Sequence, residues 1–452
     1  MMKIEFGTDG IRGVANKELT ADVALLAGRC IAHQLSAARP GSVRRIMVAK
    51  DTRISGDMIE GAIIAGICSV GVDCWKIGIT PTPCLAYLTR ATGCDAGIMI
   101  SASHNPSEDN GIKVFSSEGY KLDDETERSI EHLMEAPHKV NFPVPTGDRV
   151  GSVFDRKTLA ARYTAFVRRI LNDVRIPGRI VIDCANGATA RFAKSIFRDK
   201  VAEPIIINGD EDGRRINVDC GSTMPEKMAR RIVKSGASLG FAFDGDGDRV
   251  IFADENGSIV DGDQIMLLCA EYMKKHDLLP HNVVVTTVMS NLGFEDGLRK
   301  IGARMIRTPV GDKFVIHEML HGNYTLGGEQ SGHIIFLNHS TTGDGLITAA
   351  QVLKIFAHSN KKFSALTRMK RSEQILKNIK VKNKKAFEGN RKIQDKIKRV
   401  EAALAGTGRL VVRPSGTEPK IRVMVEALDK NKALRLTDEI LNVIRKELGE
   451  TG

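Results

Sequence analysis

The chain has 452 residues, more than one hydrophobic core can organise, so several domains are expected. Hydrophobic residues make up 42% of it and charged residues 27%, a balance typical of a folded soluble protein. The net charge of +11 comes mainly from residues 354–399, where sixteen Lys or Arg face three acidic residues, which predicts a solvated basic surface and no nucleic-acid partner.

No segment is apolar over the length that a membrane span requires, and residues 1–7 contain no apolar stretch typical of a signal peptide. We therefore expect a cytoplasmic protein with no membrane partner. The eight cysteines form no C-x-x-C pair, and most lie within apolar runs. We expect them to be reduced and buried, with neither disulfides nor a zinc site.

A strand–helix–strand pattern occurs three times along the chain. Its strands are short continuous apolar runs, which indicates strands covered on both faces. Strands that alternate with helices favour right-handed crossovers and mostly parallel sheets. The three units lie at 45–49, 58–70 and 72–77, at 179–183, 188–197 and 203–207, and at 282–286, 292–301 and 303–307.

The carboxyl-terminal part has a different pattern. Residues 409–413 and 420–426 alternate apolar and polar side chains, as half-buried antiparallel strands do, and 431–448 has helical apolar spacing. The predicted fold is three similar α/β domains with mixed, mostly parallel sheets, followed by a smaller C-terminal α+β domain. The expected domains are residues 1–150, 151–255, 256–370 and 371–452.

The first candidate site is the loop after the apolar run that ends at Ser101, in Gly97-Ile-Met-Ile-Ser-Ala-Ser-His-Asn-Pro106. Ser103 follows the carboxyl end of a predicted strand, where α/β sheets place their ligands. His104 is its neighbour, and Lys113 lies a short way downstream. A serine so placed can be a nucleophile or a phosphate carrier. The alternative is a turn whose Ser, Asn and Pro serve backbone geometry alone.

The second candidate is the segment Phe243-Asp-Gly-Asp-Gly-Asp-Arg249. Its glycines allow a turn tight enough to bring the carboxylates of Asp244, Asp246 and Asp248 together, and such oxygen ligands select a hard divalent cation. A calcium EF-hand is disfavoured because Arg249 stands where glycine is required and the flanks read as strands. The segment therefore predicts a magnesium site, with a solvated acidic turn as the alternative.

Two further loops are rich in glycine and polar residues. In Gly327-Gly-Glu-Gln-Ser-Gly-His333, Glu329 and Ser331 can bond vicinal hydroxyls of a sugar, and His333 adds a titratable group. The stretch from Arg413 to Arg422, Arg-Pro-Ser-Gly-Thr-Glu-Pro-Lys-Ile-Arg, combines two hydroxyls, backbone N–H groups and two arginines into an anion nest. Plain turns are the alternative explanation for both.

In this order, these stretches and the amino-terminal Phe6-Gly-Thr-Asp-Gly-Ile-Arg-Gly13 resemble the α-D-phosphohexomutase superfamily over the whole chain. Gln330 stands where relatives that act on mannose and glucose phosphates usually have Met. The loop Thr308-Pro-Val-Gly-Asp-Lys313 is also similar to that of members acting on glucosamine phosphates. The resemblance implies interconversion of glucosamine 6-phosphate and glucosamine 1-phosphate, in the supply of amino-sugar nucleotides and cell-wall precursors. Phosphomannomutase or phosphoglucomutase activity is the alternative.

The resemblance also implies roles for individual residues. Ser103 would be a phosphoserine and, with Asp244, Asp246 and Asp248, would hold one Mg²⁺ per subunit. The groups around the reacting oxygen would be Arg12, His104, Lys113, Arg249 and His333. The substrate-binding residues would be Thr8, Thr308, Gly311, Asp312, Glu329, Ser331, Arg413, Ser415, Gly416, Thr417 and Arg422.

The implied reaction transfers a phosphoryl group in line from Ser103 to a sugar hydroxyl, with Lys113 or His333 as general base. The expected partners are the sugar phosphate, a kinase or sugar bisphosphate that first phosphorylates Ser103, and a second subunit in a homodimer. A metal-dependent phosphatase is disfavoured because it needs no second phosphate-binding loop. A basic nucleic-acid-binding protein is disfavoured because the excess charge is local.

Overall fold

The computed structural model describes residues 6–7, 9–38, 45–415, 420–427 and 429–449. Its contacts divide the chain into two compact units, Met1–Val285 with Gly311–Arg368 and Thr286–Val310 with Met369–Gly452. Within the described ranges, no helix combines the length and apolar character needed to cross a membrane.

The first unit begins with a six-stranded sheet in the order β1-β5-β4-β2-β3-β6. β2 is parallel to β3 and β4, whereas β5 is antiparallel to β1 and β4. The chain therefore reverses direction after the carboxyl end of β4, and the connection to β5 carries Ser103. The elements are β1 (Ile11–Val14), α1 (Ala21–Ala38), β2 (Arg45–Lys50), α2 (Gly56–Cys68), β3 (Asp73–Ile79), α3 (Thr82–Thr92), β4 (Ala96–Ile100), β5 (Asp109–Ser116), α4 (Asp124–Glu135) and β6 (Val153–Asp155).

A five-stranded sheet of the same unit follows, in the order β11-β10-β9-β7-β8. β7 is parallel to β8 and β9, and β9 is antiparallel to β10. All five residues of β9 and all five of β10 are buried, so the short turn between these strands is held by a rigid pair. The elements are α5 (Ala160–Ile170), β7 (Ile176–Asp183), α6 (Ala190–Phe197), β8 (Val201–Ile207), α7 (Glu226–Ser235), β9 (Leu239–Phe243), β10 (Val250–Asp254) and β11 (Ile259–Val260).

The third α/β segment supplies elements to both units. In the first unit β14 pairs antiparallel with β15, so residues 329–333 form the loop that joins them. The elements are α8 (Gly262–Lys275), β12 (Val283–Thr287), α9 (Leu292–Lys300), β13 (Arg304–Thr308), α10 (Asp312–Gly322), β14 (Leu326–Gly328), β15 (Ile334–Phe336), α11 (Gly345–Ala357) and α12 (Phe363–Leu366).

The second unit contains an antiparallel sheet in the order β16-β18-β17. Its apolar core joins Val423 and Val425 of the central strand to buried residues of two helices, among them Val400 and Ile440. Val423 and Val425 lie on the face that meets these helices, which accounts for the apolar positions of the alternation, while Met424 and Glu426 on the other face are buried as well. The elements are β16 (Glu373–Lys380), α13 (Arg391–Leu404), β17 (Gly408–Pro414), β18 (Lys420–Ala427) and α14 (Lys430–Leu448).

The predicted fold class is confirmed: three α/β segments precede a smaller carboxyl-terminal part with an antiparallel sheet. The flanks of the aspartate turn are strands, which removes the EF-hand alternative. All eight cysteines are free and buried, as expected. Burial raises the pKa of the Cys30 thiol to about 12, so it is protonated at neutral pH.

Candidate active site

Ser103 lies in the loop between β4 and β5 with 1% of its surface exposed. Its φ of +52° is in the left-handed region, which is uncommon for a residue other than glycine. The hydroxyl donates to Asp244 Oδ2 at 2.6 Å and lies 3.3 Å from His104 Nδ1. Two of the residues expected around the serine, His104 and Asp244, are therefore in contact with it.

The three aspartates occupy the turn between β9 and β10, and their ligand oxygens lie within 4.8 Å of one another. Gly245 is required there, because a Cβ would stand 2.8 Å from the Ser103 carbonyl oxygen. Asp244 and Asp246 are fully buried, and Asp248 is 4% exposed. Oδ1 of Asp246 and of Asp248 receives no hydrogen bond from any described residue. Buried carboxylate oxygens without donors are what a divalent cation would satisfy.

Lys113, on β5, places its ammonium group against these carboxylates. Nζ lies 2.9 Å from Asp246 Oδ2, 3.5 Å from Asp248 Oδ2 and 3.2 Å from Asp9 Oδ2. Burial lowers the pKa of Lys113, but these carboxylates outweigh it and raise the pKa above its ordinary value. Burial and the repulsion of Asp248 and Asp246 raise the pKa of Asp244. A bound cation would oppose that rise by favouring the charged carboxylate.

Three more cationic or titratable groups surround Ser103. Arg12, on β1, donates from Nη1 to the Asn105 side chain at 3.0 Å and also binds Asp9. Arg249 Nε lies 3.9 Å from Asp248 Oδ1. Burial and the positive charges of both arginines lower the pKa of His104 to about 4, so its ring is neutral at neutral pH. A neutral ring beside the hydroxyl can accept or donate one hydrogen bond.

The loop between β14 and β15 brings the predicted sugar-binding residues together. Glu329 accepts from the Gly311 backbone N–H at 3.2 Å and from the Ser331 hydroxyl at 3.3 Å. His333, 3% exposed, lies 3.8 Å from Asp248 Oδ2 and 3.7 Å from Asp312 Oδ2. Burial lowers the pKa of His333, but the nearby carboxylates outweigh it and raise the pKa. The loop thus carries the partly exposed Glu329 and the exposed Ser331 on the same short segment as His333, which lies beside the buried Asp248.

The remaining predicted residues belong to the second unit or are not described. The Thr308 hydroxyl donates to the Thr286 carbonyl oxygen at 3.2 Å. Arg413 and Arg422 are direct partners in the antiparallel pair of β17 and β18, so both side chains lie on one face of the sheet. The backbone N–H of Ser415 donates to the Lys420 carbonyl oxygen at 2.8 Å. Thr8, Gly416 and Thr417 lie outside the described residues.

Several polar residues of the site were missed in the sequence. Thr82, at the start of α3, donates to Asp246 Oδ2 at 2.5 Å. Lys121 bonds Asp312 Oδ2 at 2.6 Å and also contacts Asp9. Within the second unit, taken by itself, Lys384 was also missed, and it donates to the carbonyl oxygen of Ser415, a predicted phosphate-binding residue, at 2.6 Å. Asp9 stands within the quoted amino-terminal motif, but no sequence signal marks the other three.

The geometry joins a buried hydroxyl, a carboxylate cluster suited to a divalent cation and several fixed positive charges. Such an arrangement can stabilise the charge on a phosphoryl group during transfer to or from the hydroxyl. The loop ending at His333 adds further polar side chains next to this cluster. Comparison with known proteins supports this chemistry.

Four family models match consecutive parts of the chain and together span nearly all of it. They describe the phosphoglucomutase/phosphomannomutase α/β/α domain I at residues 3–141, domain II at 161–257, domain III at 261–372 and the C-terminal domain at 376–443. The domain order and the buried aspartate cluster define a phosphohexomutase, an isomerase that moves a phosphoryl group on a sugar.

Curated relatives at high identity cover almost the full chain. Phosphoglucosamine mutase of Desulforamulus reducens is 48% identical over 97% of this chain and 98% of the relative. The enzymes of the same name from Listeria welshimeri and Geobacillus thermodenitrificans are 47% and 46% identical, each over 98% of this chain and 98% or 99% of the relative. The chain therefore belongs to the phosphohexomutase superfamily, in its bacterial phosphoglucosamine mutase family.

Solved structures share the fold. A phosphoglucomutase/phosphomannomutase family protein from Burkholderia thailandensis matches with a TM-score of 0.81 and 25% identity over 97% of each chain. The Aspergillus fumigatus N-acetylphosphoglucosamine mutase, solved with GlcNAc-6P and magnesium, matches with a TM-score of 0.72 and 19% identity. That match covers 100% of this chain and 96% of the other, and at this identity it shows the fold alone.

Proposed function

We propose that the chain interconverts glucosamine 6-phosphate and glucosamine 1-phosphate through a phosphoserine at Ser103 and a sugar bisphosphate intermediate. The observation that carries the chemistry is the 2.6 Å contact between the Ser103 hydroxyl and Asp244 in a cluster of buried carboxylates. The choice of sugar rests on relatives at 45–48% identity that are named phosphoglucosamine mutase. The product would enter amino-sugar nucleotide and cell-wall precursor synthesis.

In the first step a sugar hydroxyl oxygen attacks the phosphorus carried by Ser103. A new phosphorus–oxygen bond forms to the sugar while the bond to Ser103 Oγ breaks, and the serine oxygen takes up one proton in exchange for the one that the sugar hydroxyl loses. The proton of the sugar hydroxyl passes to a base, for which His333 is the candidate, because Lys113, the other residue expected in that role, is held as an ammonium by its carboxylate neighbours. The same step in reverse, on the other phosphate of the bisphosphate, regenerates phosphoserine and releases product.

Fixed positive charge stabilises the transferring group. Lys113, held as an ammonium by its carboxylate neighbours, and the guanidinium groups of Arg12 and Arg249 supply that charge. The His104 ring is neutral and lies within hydrogen-bonding distance of the serine oxygen. It can therefore keep a hydrogen bond to that oxygen both when the oxygen carries the phosphoryl group and when it is a free hydroxyl. Because these groups are already oriented by protein contacts, little reorganisation is needed during transfer.

The carboxylates of Asp244, Asp246 and Asp248, completed by the phosphoserine, would hold one Mg²⁺. Magnesium suits this site because it is commonly held by a few carboxylates together with a phosphate oxygen. When bound, the ion neutralises charge on the phosphoryl oxygens and orients them for in-line transfer. The two carboxylate oxygens without a described donor are the observation that supports this assignment.

The substrate-binding roles follow the chemistry of the loops. Glu329 and Ser331 would bind sugar hydroxyls, with Gly311, Asp312 and Thr308 in the neighbouring loop. The non-reacting phosphate would be bound by the anion nest formed by Arg413, Ser415, Gly416, Thr417 and Arg422, with Thr8 joining the reacting phosphate.

We also propose a domain organisation, a route by which Ser103 is first phosphorylated, and an oligomeric state. Residues 1–150, 151–255, 256–370 and 371–452 would act as four domains, each contributing one of the loops above. A kinase or a sugar bisphosphate would first phosphorylate Ser103. The active molecule would be a homodimer, which light scattering of the purified protein tests.

Label transfer tests the proposed function. The protein is incubated with ³²P-labelled glucose 1,6-bisphosphate, freed of small molecules and mixed with glucosamine 6-phosphate and Mg²⁺. The proposal predicts that the label leaves Ser103 and appears in glucosamine 1,6-bisphosphate. Release as inorganic phosphate would indicate a phosphatase instead. Ser103→Ala should take up no label, and full labelling of that variant would refute the carrier role.

A further inference from the structure

Arg53 is a buried charged residue that the reaction described above does not use. It lies just after β2, is 2% exposed, and its side chain is fully buried. Burial of a guanidinium group is costly unless its donors are all satisfied, so its partners indicate what it stabilises.

All five N–H donors of Arg53 are used, and four bond backbone carbonyl oxygens, three in the loop that carries Ser103 and one at the first residue of β5. Nε donates to Asp51 Oδ2 at 3.0 Å. Nη2 donates to the carbonyl oxygens of Ser103 at 3.1 Å and Asn105 at 2.9 Å. Nη1 donates to that of Asp109 at 2.8 Å and to that of Pro106. One planar group therefore fixes four points along seven residues of chain.

Two other side chains complete this arrangement. Asp51 accepts the Ser101 hydroxyl at 2.6 Å, and Ser101 Oγ in turn accepts the Ser103 backbone N–H at 2.9 Å. Asn217, in the connection between β8 and α7, donates to the carbonyl oxygens of Ser103 at 2.8 Å and of Asn105 at 3.1 Å. Both backbone polar groups of Ser103 are thus held.

The backbone of Ser103 needs such support, because its left-handed φ of +52° costs about 1–3 kcal/mol for a residue with a side chain. That conformation points Oγ at Asp244. A relaxed loop would keep Ser103 but move Oγ away from the carboxylates, and a misplacement of about 1 Å can cost roughly 10²-fold in rate.

We infer that Arg53 is a positioning residue for phosphoryl transfer, holding the Ser103 loop in the conformation that the reaction requires. The inference rests on the proposed function of Ser103 as phosphate carrier. The hydrogen bonds of Arg53 go to Asp51 and to backbone carbonyl oxygens, and none goes to the Ser103 hydroxyl or the aspartate cluster, so it acts by holding the loop.

The test is Arg53→Lys, which keeps the charge but removes the planar array of donors. The phosphoenzyme is prepared with labelled glucose 1,6-bisphosphate and mixed with glucosamine 6-phosphate in a rapid-quench experiment. We expect the first-order rate constant of transfer to fall about 10- to 100-fold, with KM within about twofold of the parent. A merely structural role would reduce the amplitude, through a smaller folded fraction, and leave the rate constant unchanged.

Two further variants keep the test decisive. Asn217→Ala removes the second donor to the same carbonyl oxygens at a half-buried position, where the φ of +60° costs alanine about 1–2 kcal/mol, and the rate constant of the folded variant should fall about 3- to 10-fold. Arg168→Lys is the matched control. Arg168 also binds a backbone carbonyl oxygen, that of Ser195, together with Asp199, and its rate constant should equal the parent's.

The parent is measured first. If it transfers no label from Ser103 to the sugar, the proposed function fails, whatever Arg53 does. If the parent transfers label and Arg53→Lys and Asn217→Ala keep rate constants within twofold of it, the inference on Arg53 is overturned. A folded Arg53→Lys protein that cannot be phosphorylated by the bisphosphate supports the inference, because that labelling is the same transfer in reverse.

Discussion

Replacing Asp246 with asparagine tests the role of the carboxylate cluster with little change of shape. Asp246 is fully buried, and its Oδ2 accepts from Thr82 and Lys113. Its Oδ1 has no donor among the described residues, so it is the atom we assign to the cation. The substituted amide would keep one acceptor oxygen but lose the negative charge.

The expected loss of activity is much larger than the loss of stability. A cation at the transferring phosphoryl group contributes several kcal/mol of transition-state stabilisation, and about 3–4 kcal/mol corresponds to a 10²- to 10³-fold lower kcat. Lys113 keeps two carboxylates, at 3.2 Å and 3.5 Å, so the variant avoids most of the about 3–5 kcal/mol that an abandoned buried charge costs. Removing the charge of Asp246 also relieves its repulsion of the Asp244 carboxylate, which further limits the loss of stability.

The assay measures kcat and KM for glucosamine 6-phosphate over a Mg²⁺ titration, alongside the free energy of unfolding in urea. Asp254→Asn is the matched control, because Asp254 is a buried aspartate on the adjoining strand whose side chain accepts from the backbone N–H groups of Asn256 and Ser258. The control should keep parental kcat. A folded Asp246→Asn protein whose kcat stays within threefold of the parent would refute the metal assignment.

Two other predictions concern the second phosphate and the pH dependence of stability. Arg422→Ala should raise KM about tenfold or more with a smaller fall in kcat, because remote binding energy also orients the reacting end; unchanged steady-state kinetics would place the phosphate-binding residues elsewhere. Burial raises the pKa of Glu127 to about 7 from 4.5, so the folded state favours the protonated acid, and the parent should lose at most about 3 kcal/mol as pH rises from 5 to 8. Glu127→Gln should therefore lie within about 1 kcal/mol of the parent at pH 5 and exceed its unfolding free energy by more at pH 8, and an equal difference at both pH values would contradict the assigned pKa.

Much of the fold was predictable because its signals are local. The continuous apolar runs predicted β2, β7 and β12 to within a few residues, since these strands are buried along most of their length. The alternation in 409–413 and 420–426 predicted β17 and β18, since one face of their sheet meets the helices. The aspartate cluster was predictable for the same reason: its three carboxylates lie within five consecutive residues.

The polar network around the site was not predictable, because its members are distant in sequence. Lys121 meets Asp312 across 191 residues, and Thr82 meets Asp246 across 164. Arg53 reaches the Ser103 loop only because β2 and β4 are neighbours in the first sheet. Periodicity specifies which residues form strands, but it does not specify strand order, and these contacts depend on that order.

The most direct test of the account compares kcat/KM for glucosamine 6-phosphate, glucose 6-phosphate and mannose 6-phosphate on the phosphorylated protein, followed by ³¹P NMR. The three sugars share the reacting groups and differ at carbon 2, so the comparison isolates recognition of the amine. One polar contact is worth on the order of 1–3 kcal/mol, so we predict a clear preference for glucosamine 6-phosphate with residual activity on the glucose phosphate. A preference for mannose or glucose phosphate, or the absence of any sugar 1-phosphate product, would contradict the proposed function.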